Sequence, residues 1–341
     1  RYSCSYRGTV GNADLFAAAL VLGAGIMLAA GFLTEEPRLR SLCQSTFYIT
    51  AVIVCLSKVS AGIFALALGT LLCLPLLAFT FAAEEGRIAA LAKKNHEGPV
   101  SDAPEDRIAS KEEQDPEKLR SAAAEKPCSA DPQGSHLAAP KANSTEGKRR
   151  RSSRRPSISR AGAKKLLRNV VLLLAIALLA VWLVPFDGAI GELHAILHGD
   201  VQDSFGSGRI GIWKQCIAAI GQRPFLGCGP ECLSQLQFTP FVRETASGTV
   251  TRIIDAAHNE YLNIAVCQGI PALLALLAAA AALFVQTIRK GFPKGAVICL
   301  CGLLFYLLQA PFGIATCYTT PLAFLAAGCA LALTRADTSG E

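Results

Sequence analysis

The chain has 341 residues, of which 52% are hydrophobic, and its formal net charge is +7 at pH 7. The charged residues are concentrated in a few segments, whereas other long stretches carry almost none, and this unevenness excludes an ordinary soluble globular protein. An apolar helix of about 20 residues crosses the bilayer core and pairs its own backbone polar groups. The sequence therefore predicts an all-α polytopic membrane protein.

Seven apolar segments are predicted to be membrane helices. They cover residues 15–33, 42–57, 60–83, 166–186, 270–288, 295–312 and 319–334. The second and third are separated only by Lys58 to Gly62, so they should form a tight hairpin. Because the chain opens at Arg1 in polar sequence, without an initiating methionine, we expect further membrane helices ahead of it in the full-length protein.

The distribution of Lys and Arg predicts the orientation, since cytoplasmic loops carry an excess of both. If the helices alternate, the basic segments share one side: Arg38 and Arg40, residues 84–165, the Arg289, Lys290 and Lys294 cluster, and Arg335. That side should be the cytoplasm. The predicted organisation is three helices in 1–83, a cytoplasmic loop 84–165, a helix 166–186, an extracytoplasmic loop 187–262, three helices in 263–334 and a cytoplasmic tail 335–341.

The two long loops differ in composition. Residues 84–165 are rich in Ala, Lys, Glu, Pro and Ser, which favours disorder because such a segment buries too little apolar surface to offset chain ordering. Its polybasic run, Lys148 to Arg155, precedes a membrane helix and is expected to contact anionic membrane lipids. Nucleic acid is not an expected partner, because no folded nucleic-acid-binding motif accompanies the run.

The 187–262 loop, in contrast, has the pattern of a folded, partly helical segment. Ser207 begins a predicted helix that ends near Pro224, and apolar residues follow at helical spacing on one face: Ile210, Trp213, Ile217 and Ile220. A turn with two glycines follows at Pro224 to Pro230. The stretch Ala257 to Leu262 then leads into the fifth predicted membrane helix.

Two sets of residues in this loop have spacings compatible with a metal site. His194 and His198 lie four residues apart and can share a helix face with Glu192 or Asp200, although no HExxH motif is present. Cys228 and Cys232 either close a disulfide, contribute to a metal site or remain free thiols. We expect no metal at either position.

Three motifs in this order resemble the O-antigen ligase and Wzy-polymerase family (Wzy_C type). They are Gly206-Ser-Gly-Arg-Ile-Gly-Ile-Trp213, Pro224-Phe-Leu-Gly-Cys-Gly-Pro230, and Ala257-His-Asn-Glu-Tyr-Leu262 followed by Gly269. The stretch Gly8-Thr-Val-Gly-Asn12 followed by Asp14 is similar to the family's GxxGN sequence. Tyr306 to Gln309, with Pro321 and Gly328, also fits its last hairpin.

The resemblance implies a bacterial, GT-C-like glycosyltransferase of cell-surface polysaccharide biosynthesis in the cytoplasmic (inner) membrane. Such an enzyme transfers a glycan from a polyprenyl (undecaprenyl) diphosphate to an acceptor hydroxyl at the outer face, with no metal or other cofactor. The implied partners are the lipid-linked donor and a glycan or lipid acceptor. Ligases and polymerases are not distinguished by these motifs.

Displacement of a diphosphate develops negative charge, which an arginine fork binds well. The resemblance assigns this role to Arg209, for which an ion pair with Asp203 is a structural alternative. Arg7 is a second candidate. The family's Ser-Arg-Gly turn reads Ser60-Ala61-Gly62 here, so Lys58 is the nearest cation that can replace the missing arginine in diphosphate binding.

The attacking hydroxyl must lose a proton, and histidine titrates nearest the working pH. His258 matches the family's loop histidine and is the predicted general base or acceptor-orienting group in an inverting, one-step attack. Asn259 is expected to fix the backbone or the acceptor. Trp213 is either an interfacial anchor or a platform for a sugar.

The competing hypothesis is a non-enzymatic membrane protein, such as a transporter or a glycan-binding protein. Transporters usually place ionisable residues at mid-membrane. The predicted spans carry almost none, whereas the informative residues gather in the 187–262 loop. This pattern favours chemistry at the membrane surface.

Overall fold

The computed structural model describes residues 13–96, 158–185, 187–245 and 248–336. Arg7, the Gly8–Asn12 stretch and the polybasic run lie outside the described residues. The described residues up to 89 and from 158 onward form one compact unit, and all that follows on packing concerns that unit.

The described chain is predominantly helical. Its α-helices are α1 (Ala13–Leu33), α2 (Pro37–Leu56), α3 (Ser60–His96), α4 (Arg160–Leu183), α5 (Gly188–Leu197), α6 (Phe205–Gln222), α7 (Glu260–Gln268), α8 (Ile270–Arg289), α9 (Lys294–Gln309) and α10 (Thr320–Ala336). Short 3₁₀ helices cover Leu233–Leu236 and Ala310–Phe312. Strands β1 (Phe241–Thr245) and β2 (Gly248–Arg252) form an antiparallel pair in which Val242 lies opposite Thr251.

Six of the described helices are long and apolar enough to cross a membrane: α1, α2, α3, α4, α8 and α9. The shorter apolar helix α10 occupies the seventh predicted span. The predicted class, an all-α polytopic membrane protein, is confirmed. The β1–β2 hairpin is an addition that hydropathy did not predict.

Helix α3 is longer than the predicted span, because it continues from residue 83 to His96 into the segment predicted to be disordered. The extra turns have tertiary partners. Glu84 pairs with Lys294 at 2.5 Å, and the Arg87 guanidinium donates to the carbonyls of Lys290 and Gly291. Helix α4 likewise begins before its predicted start, where the Ser159 hydroxyl accepts a hydrogen bond from Gly162 N–H as an N-cap.

The centre of the bundle is built on close packing of α1, α3 and α9. Phe305 of α9 is fully buried and lies against Gly25 of α1 and Gly69 of α3. A Cβ added at Gly25 would lie 2.5 Å from the Cys301 carbonyl oxygen, and one at Gly69 would lie 2.8 Å from the Phe305 ring. Small residues therefore allow these membrane helices to approach closely.

The polar contacts separate into two groups at opposite ends of the spans. At one end, Lys294 lies 2.9 Å from Glu35, in the turn between α1 and α2, and binds Glu84 as well. At the other end, the Tyr261 hydroxyl donates to the Leu307 carbonyl at 2.7 Å, which ties α7 to the far end of α9. The folded part of the 187–262 segment therefore lies at the end away from the basic cluster.

Candidate functional site

A left-handed turn precedes Arg209. Gly206, Ser207 and Gly208 have φ values of 61°, 62° and 88°, so the regular part of α6 starts at the arginine rather than at Ser207. The Glu192 carboxylate accepts a hydrogen bond from Gly206 N–H at 2.8 Å and stabilises the turn. Glycine suits two of these positions because it adopts positive φ without a Cβ penalty. The Gly-Ser-Gly motif thus sets the direction in which the Arg209 side chain leaves the backbone.

Arg209 pairs with α1 rather than with its own segment. Its Nη2 lies 3.7 Å from Oδ2 of Asp14, and the Arg209 side chain is 24% exposed. Asp203, the partner considered from the sequence, lies 2.6 Å from the Lys214 ammonium instead. The arginine is therefore partly buried and held at the start of α1, immediately after the GxxGN stretch.

His258 occupies a constrained backbone position. Its φ is 49°, which is uncommon for a residue other than glycine and typical of functional or strained sites. The residue before it is fixed twice, since the Ala257 carbonyl accepts from Trp213 Nε1 at 3.0 Å and the Ala257 N–H donates to Asn263 Oδ1 at 3.3 Å. The residue after it, Asn259, caps α7 by accepting from Leu262 N–H at 3.1 Å.

A small apolar core supports this arrangement. Ile212 and Cys216 of α6 pack with Val266 and Cys267 of α7. The buried face of α6 is thus centred on Ile212 and Cys216, whereas Ile217, which was predicted to lie on the apolar face, is 59% exposed. The predicted turn at residues 224–230 pairs its backbone with the end of α7, for example through Cys228 N–H to the Val266 carbonyl at 2.9 Å.

The surroundings lower the pKa of His258 below its ordinary value. Burial is the main cause, because it disfavours the charged imidazolium, and the positive charge of Arg209 adds to the effect. Asp255 and Asp14 act in the opposite direction. His258 is therefore held in the neutral form, which is the form able to accept a proton.

His258 lines a small cavity of about 20 Å³. Its other walls come from the start of α1, the end of α9 and the 3₁₀ helix that follows, including Asp14, Gln309 and Phe312. A cavity of this size holds one water molecule or one hydroxyl group. The space beside the imidazole therefore fits a single hydroxyl group or water molecule but not a whole sugar ring.

The remaining predicted site residues have distinct surroundings. Lys58 is exposed at the turn between α2 and α3, and the neighbouring Val59 packs with Ala17 and Phe312, so this turn lies at the same end as His258. Asn259 is engaged as the cap of α7, and Trp213 as a hydrogen-bond donor within the small core, so both fix the local backbone. Sugar binding by Trp213 and diphosphate binding by Lys58 stay predictions.

Sequence reasoning did not assign a role to three residues near the site. Asp14 pairs with Arg209, and Gln309, which is 4% exposed, lines the His258 cavity. Glu260 is 6% exposed and accepts a hydrogen bond from the Tyr306 hydroxyl at 2.6 Å. The sequence signal for Glu260 was an acidic residue at the start of a helix that leads into an apolar span.

The candidate metal ligands are engaged with protein atoms. His194 Nδ1 lies 2.7 Å from the Val181 carbonyl, and His198 Nδ1 lies 2.9 Å from the His194 carbonyl. Cys228 and Cys232 are both free thiols. Within the described part of the chain, no group of three or more His, Cys, Asp or Glu residues is arranged to hold a metal ion.

The fold and this polar site define a multi-pass helical membrane protein with an arginine and a histidine brought together at one end of its spans. Residues 148–277 match the family model described as O-antigen ligase, Wzy_C, and this match confirms the resemblance. The matched segment includes Arg209, Trp213 and His258. It supports a role in glycosyl transfer during polysaccharide assembly. No curated protein matches the chain.

Proposed function

We propose that the protein transfers a glycan from a polyprenyl diphosphate, of the undecaprenyl type, to an acceptor hydroxyl at the outer face of the cytoplasmic membrane. The observation that carries this proposal is the convergence of His258, Arg209 and Asp14, three residues far apart in the sequence, at the end of the bundle away from the basic cluster. The acceptor is a glycan or a lipid, and the reaction uses no metal.

The transfer step follows from the chemistry of the two side chains. The acceptor oxygen attacks the anomeric carbon, the bond from that carbon to the diphosphate oxygen breaks, and its electron pair leaves with the diphosphate. The acceptor proton goes to the neutral imidazole of His258, and attack opposite the leaving group inverts the anomeric centre. The Arg209 guanidinium binds the oxygens on which charge develops.

Arg209 has two electrostatic effects in this scheme. Before the donor binds, its charge contributes to the lowered pKa of His258 and keeps the base unprotonated. A bound diphosphate then competes with Asp14 for the guanidinium and offsets its positive charge. Because that offset raises the proton affinity of the imidazole, donor binding makes His258 a stronger base at the moment when the acceptor must be deprotonated.

The proposal is tested with His258→Ala and Arg209→Gln in cells that lack the native protein. Both variants should lose glycan attachment while their membrane levels remain normal. His198→Ala and Lys214→Gln are matched controls from the same segment, because both side chains lie outside the His258 cavity, and they should retain transfer. Normal glycan transfer by the His258→Ala, Arg209→Gln double variant would overturn the proposal and favour a transporter or a glycan-binding protein.

The side of the membrane is tested separately with an epitope inserted at the exposed turn between Gly199 and Asp200. Antibody should reach this epitope in intact spheroplasts. An epitope placed after Arg335, at the opposite end of the spans, should react only after permeabilisation. The reverse result would place the site in the cytoplasm and exclude the proposed reaction at the outer face.

Analysis of the surface glycan separates the two enzyme types, ligase and polymerase. Loss of a ligase leaves long chains on the lipid carrier, whereas loss of a polymerase leaves single repeat units on the acceptor.

A further inference from the structure

A second, larger cavity lies between α7, α8, α9 and α10, and its volume is about 600 Å³. On α8 its lining runs from Ala272 to Gln286, and a helical rise of 1.5 Å per residue makes this face about 21 Å long. On α10 it runs from Thr320 to Leu331. The cavity therefore extends along the spans through much of the ~30 Å thickness of a bilayer core.

Small residues on both walls create this space. Ala279 and Ala280 of α8 are opposed by Ala323, Ala327 and Gly328 of α10. The space is elongated along the spans and its walls are mainly apolar side chains. This shape and lining suit an extended hydrocarbon chain.

Most polar groups of the cavity lie at the end nearest the His258 site, whereas Gln286 lines the opposite end. Glu260, Tyr306 and Thr320 lie at the His258 end, and the Tyr306 hydroxyl contacts Glu260 Oε1 at 2.6 Å and Thr320 Oγ1 at 3.2 Å. Burial raises the pKa of Glu260, and the hydrogen bond from Tyr306 partly opposes this shift. A carboxyl group has more hydrogen-bonding capacity than this one contact uses.

Charge selects among the lipids that could enter. The residues lining the cavity are all described, and none of them is Lys, Arg or His, whereas one is the buried carboxyl Glu260. A phosphate head placed at this end would meet a carboxyl without a compensating cation, which is unfavourable in a buried site. A hydroxyl group, in contrast, can donate to the carboxyl oxygen or accept from its proton.

We propose that this cavity binds one acyl chain of an uncharged, hydroxyl-bearing membrane lipid of the diacylglycerol type, with the head hydroxyl hydrogen-bonded to Glu260. The site is distinct from the small cavity of His258, which is lined by other residues apart from the shared end of α9. The inference goes beyond glycan transfer, and it does not depend on that reaction.

The test uses purified protein in nanodiscs with a diacylglycerol that carries a photoreactive group in one acyl chain, and labelled peptides are identified by mass spectrometry. Labelling should map to the cavity faces of α8 and α10. Ala280→Phe, which fills the cavity, should reduce it by about tenfold, a change of 1.4 kcal/mol in binding. Ala278→Phe is the matched control, because Ala278 lies on the same helix but is exposed and does not line the cavity.

Competition and a second variant define the head group. Unlabelled diacylglycerol should displace the probe, whereas phosphatidic acid and polyprenyl phosphate should not. Glu260→Ala should weaken diacylglycerol labelling without weakening that of a photoreactive alkane. Equal labelling of Ala280→Phe and Ala278→Phe would mean that the probe labels lipid-exposed surface rather than the cavity. Displacement of the probe by polyprenyl phosphate would mean that the cavity binds the glycan donor. Either result overturns the proposal. His258→Ala should label like the wild-type protein, so failure of glycan transfer and failure of lipid binding are separate outcomes.

Discussion

The indole Nε1 of Trp213 donates a hydrogen bond of 3.0 Å to the carbonyl oxygen of Ala257, the residue before His258. This bond joins α6 to the start of α7 and holds the backbone of the histidine from one side. In the proposed reaction Trp213 is therefore a positioning residue, which acts through the location of the imidazole.

Trp213→Phe keeps an aromatic ring but removes the hydrogen-bond donor. We expect the free energy of unfolding to fall by about 1 kcal/mol and transfer to fall roughly 10-fold or more, because a small displacement of the base is costly. Assays of glycan transfer and thermal unfolding check both values. Trp182→Phe is the control, since Trp182 stacks on His198 with centroids 5.5 Å apart. Equal transfer by the two variants would contradict a positioning role for Trp213.

The pKa of His258 should respond in opposite directions to its two charged neighbours. Arg209→Gln removes a positive charge and should raise the pKa, whereas Asp14→Asn removes a negative charge and should lower it further. NMR titration of the imidazole measures both shifts. Lys214→Gln should cause no shift, because that ammonium pairs with Asp203. Shifts of the same sign in Arg209→Gln and Asp14→Asn would refute the arrangement.

The pH dependence of transfer follows from the same lowered pKa. A general base must be neutral, so transfer should decline as the pH falls through the pKa of His258, and Asp14→Asn should move this acid limb to lower pH. Because the pKa of His258 is lower in the folded than in the unfolded state, protonation favours unfolding. The free energy of unfolding should therefore decrease as the pH drops below the ordinary pKa of histidine. Profiles of rate and of unfolding against pH test both. An acid limb that moves upward in Asp14→Asn would contradict the assignment.

The left-handed turn before Arg209 predicts a specific sensitivity to side chains. Gly206→Ala places a Cβ at φ 61° and 3.4 Å from the Arg209 Cβ, which should cost about 1–2 kcal/mol and shift the guanidinium. Transfer should fall with it. Gly221→Ala is the control, because a Cβ there has no neighbour within 4 Å, and it should stabilise α6 by about 0.5–1 kcal/mol. If thermal unfolding shows Gly206→Ala to be more stable than Gly221→Ala, the left-handed backbone conformation at Gly206 is contradicted.

Gly269 is required by close backbone packing between α7 and the turn at residues 224–230. A Cβ at this position, where φ is 91°, would lie 2.1 Å from the Phe225 carbonyl oxygen. Gly269→Ala should therefore destabilise the protein by roughly 3 kcal/mol or more. Gly23→Ala in α1 meets no atom within 4 Å and should be tolerated. Comparable thermal stability of the two variants would contradict the close approach.

The membrane spans were predictable because hydropathy is a local property that a helix in a bilayer must satisfy. The extension of α3 was not predictable in this way. The turns after residue 83 combine charged residues and alanine and resemble the segment that follows, yet Glu84 binds Lys294 at the start of α9 and Arg87 binds the turn before it, about 200 residues away. Such contacts depend on tertiary packing, which no local pattern encodes.

The candidate site shows the same division. The motif order pointed to Arg209 and His258, and the structure places both at one end of the bundle. The partner of Arg209 could not be read from the sequence, because Asp203 is near in the chain whereas Asp14 is near in space. The role of Trp213 was also hidden, since its acceptor is a backbone carbonyl of the kind that every residue carries.

Asp14 belongs to the first described helix, while Gln309 closes α9, and both border the cavity of His258. During synthesis the arginine and the histidine emerge well before Gln309 does. A nascent chain that ends before α9 would contain Arg209 and His258 but would lack Gln309 and the rest of the cavity lining contributed by that end of the bundle. Glycan transfer should therefore begin only when the hairpin of α9 and α10 has inserted, so that an incomplete chain does not catalyse the reaction.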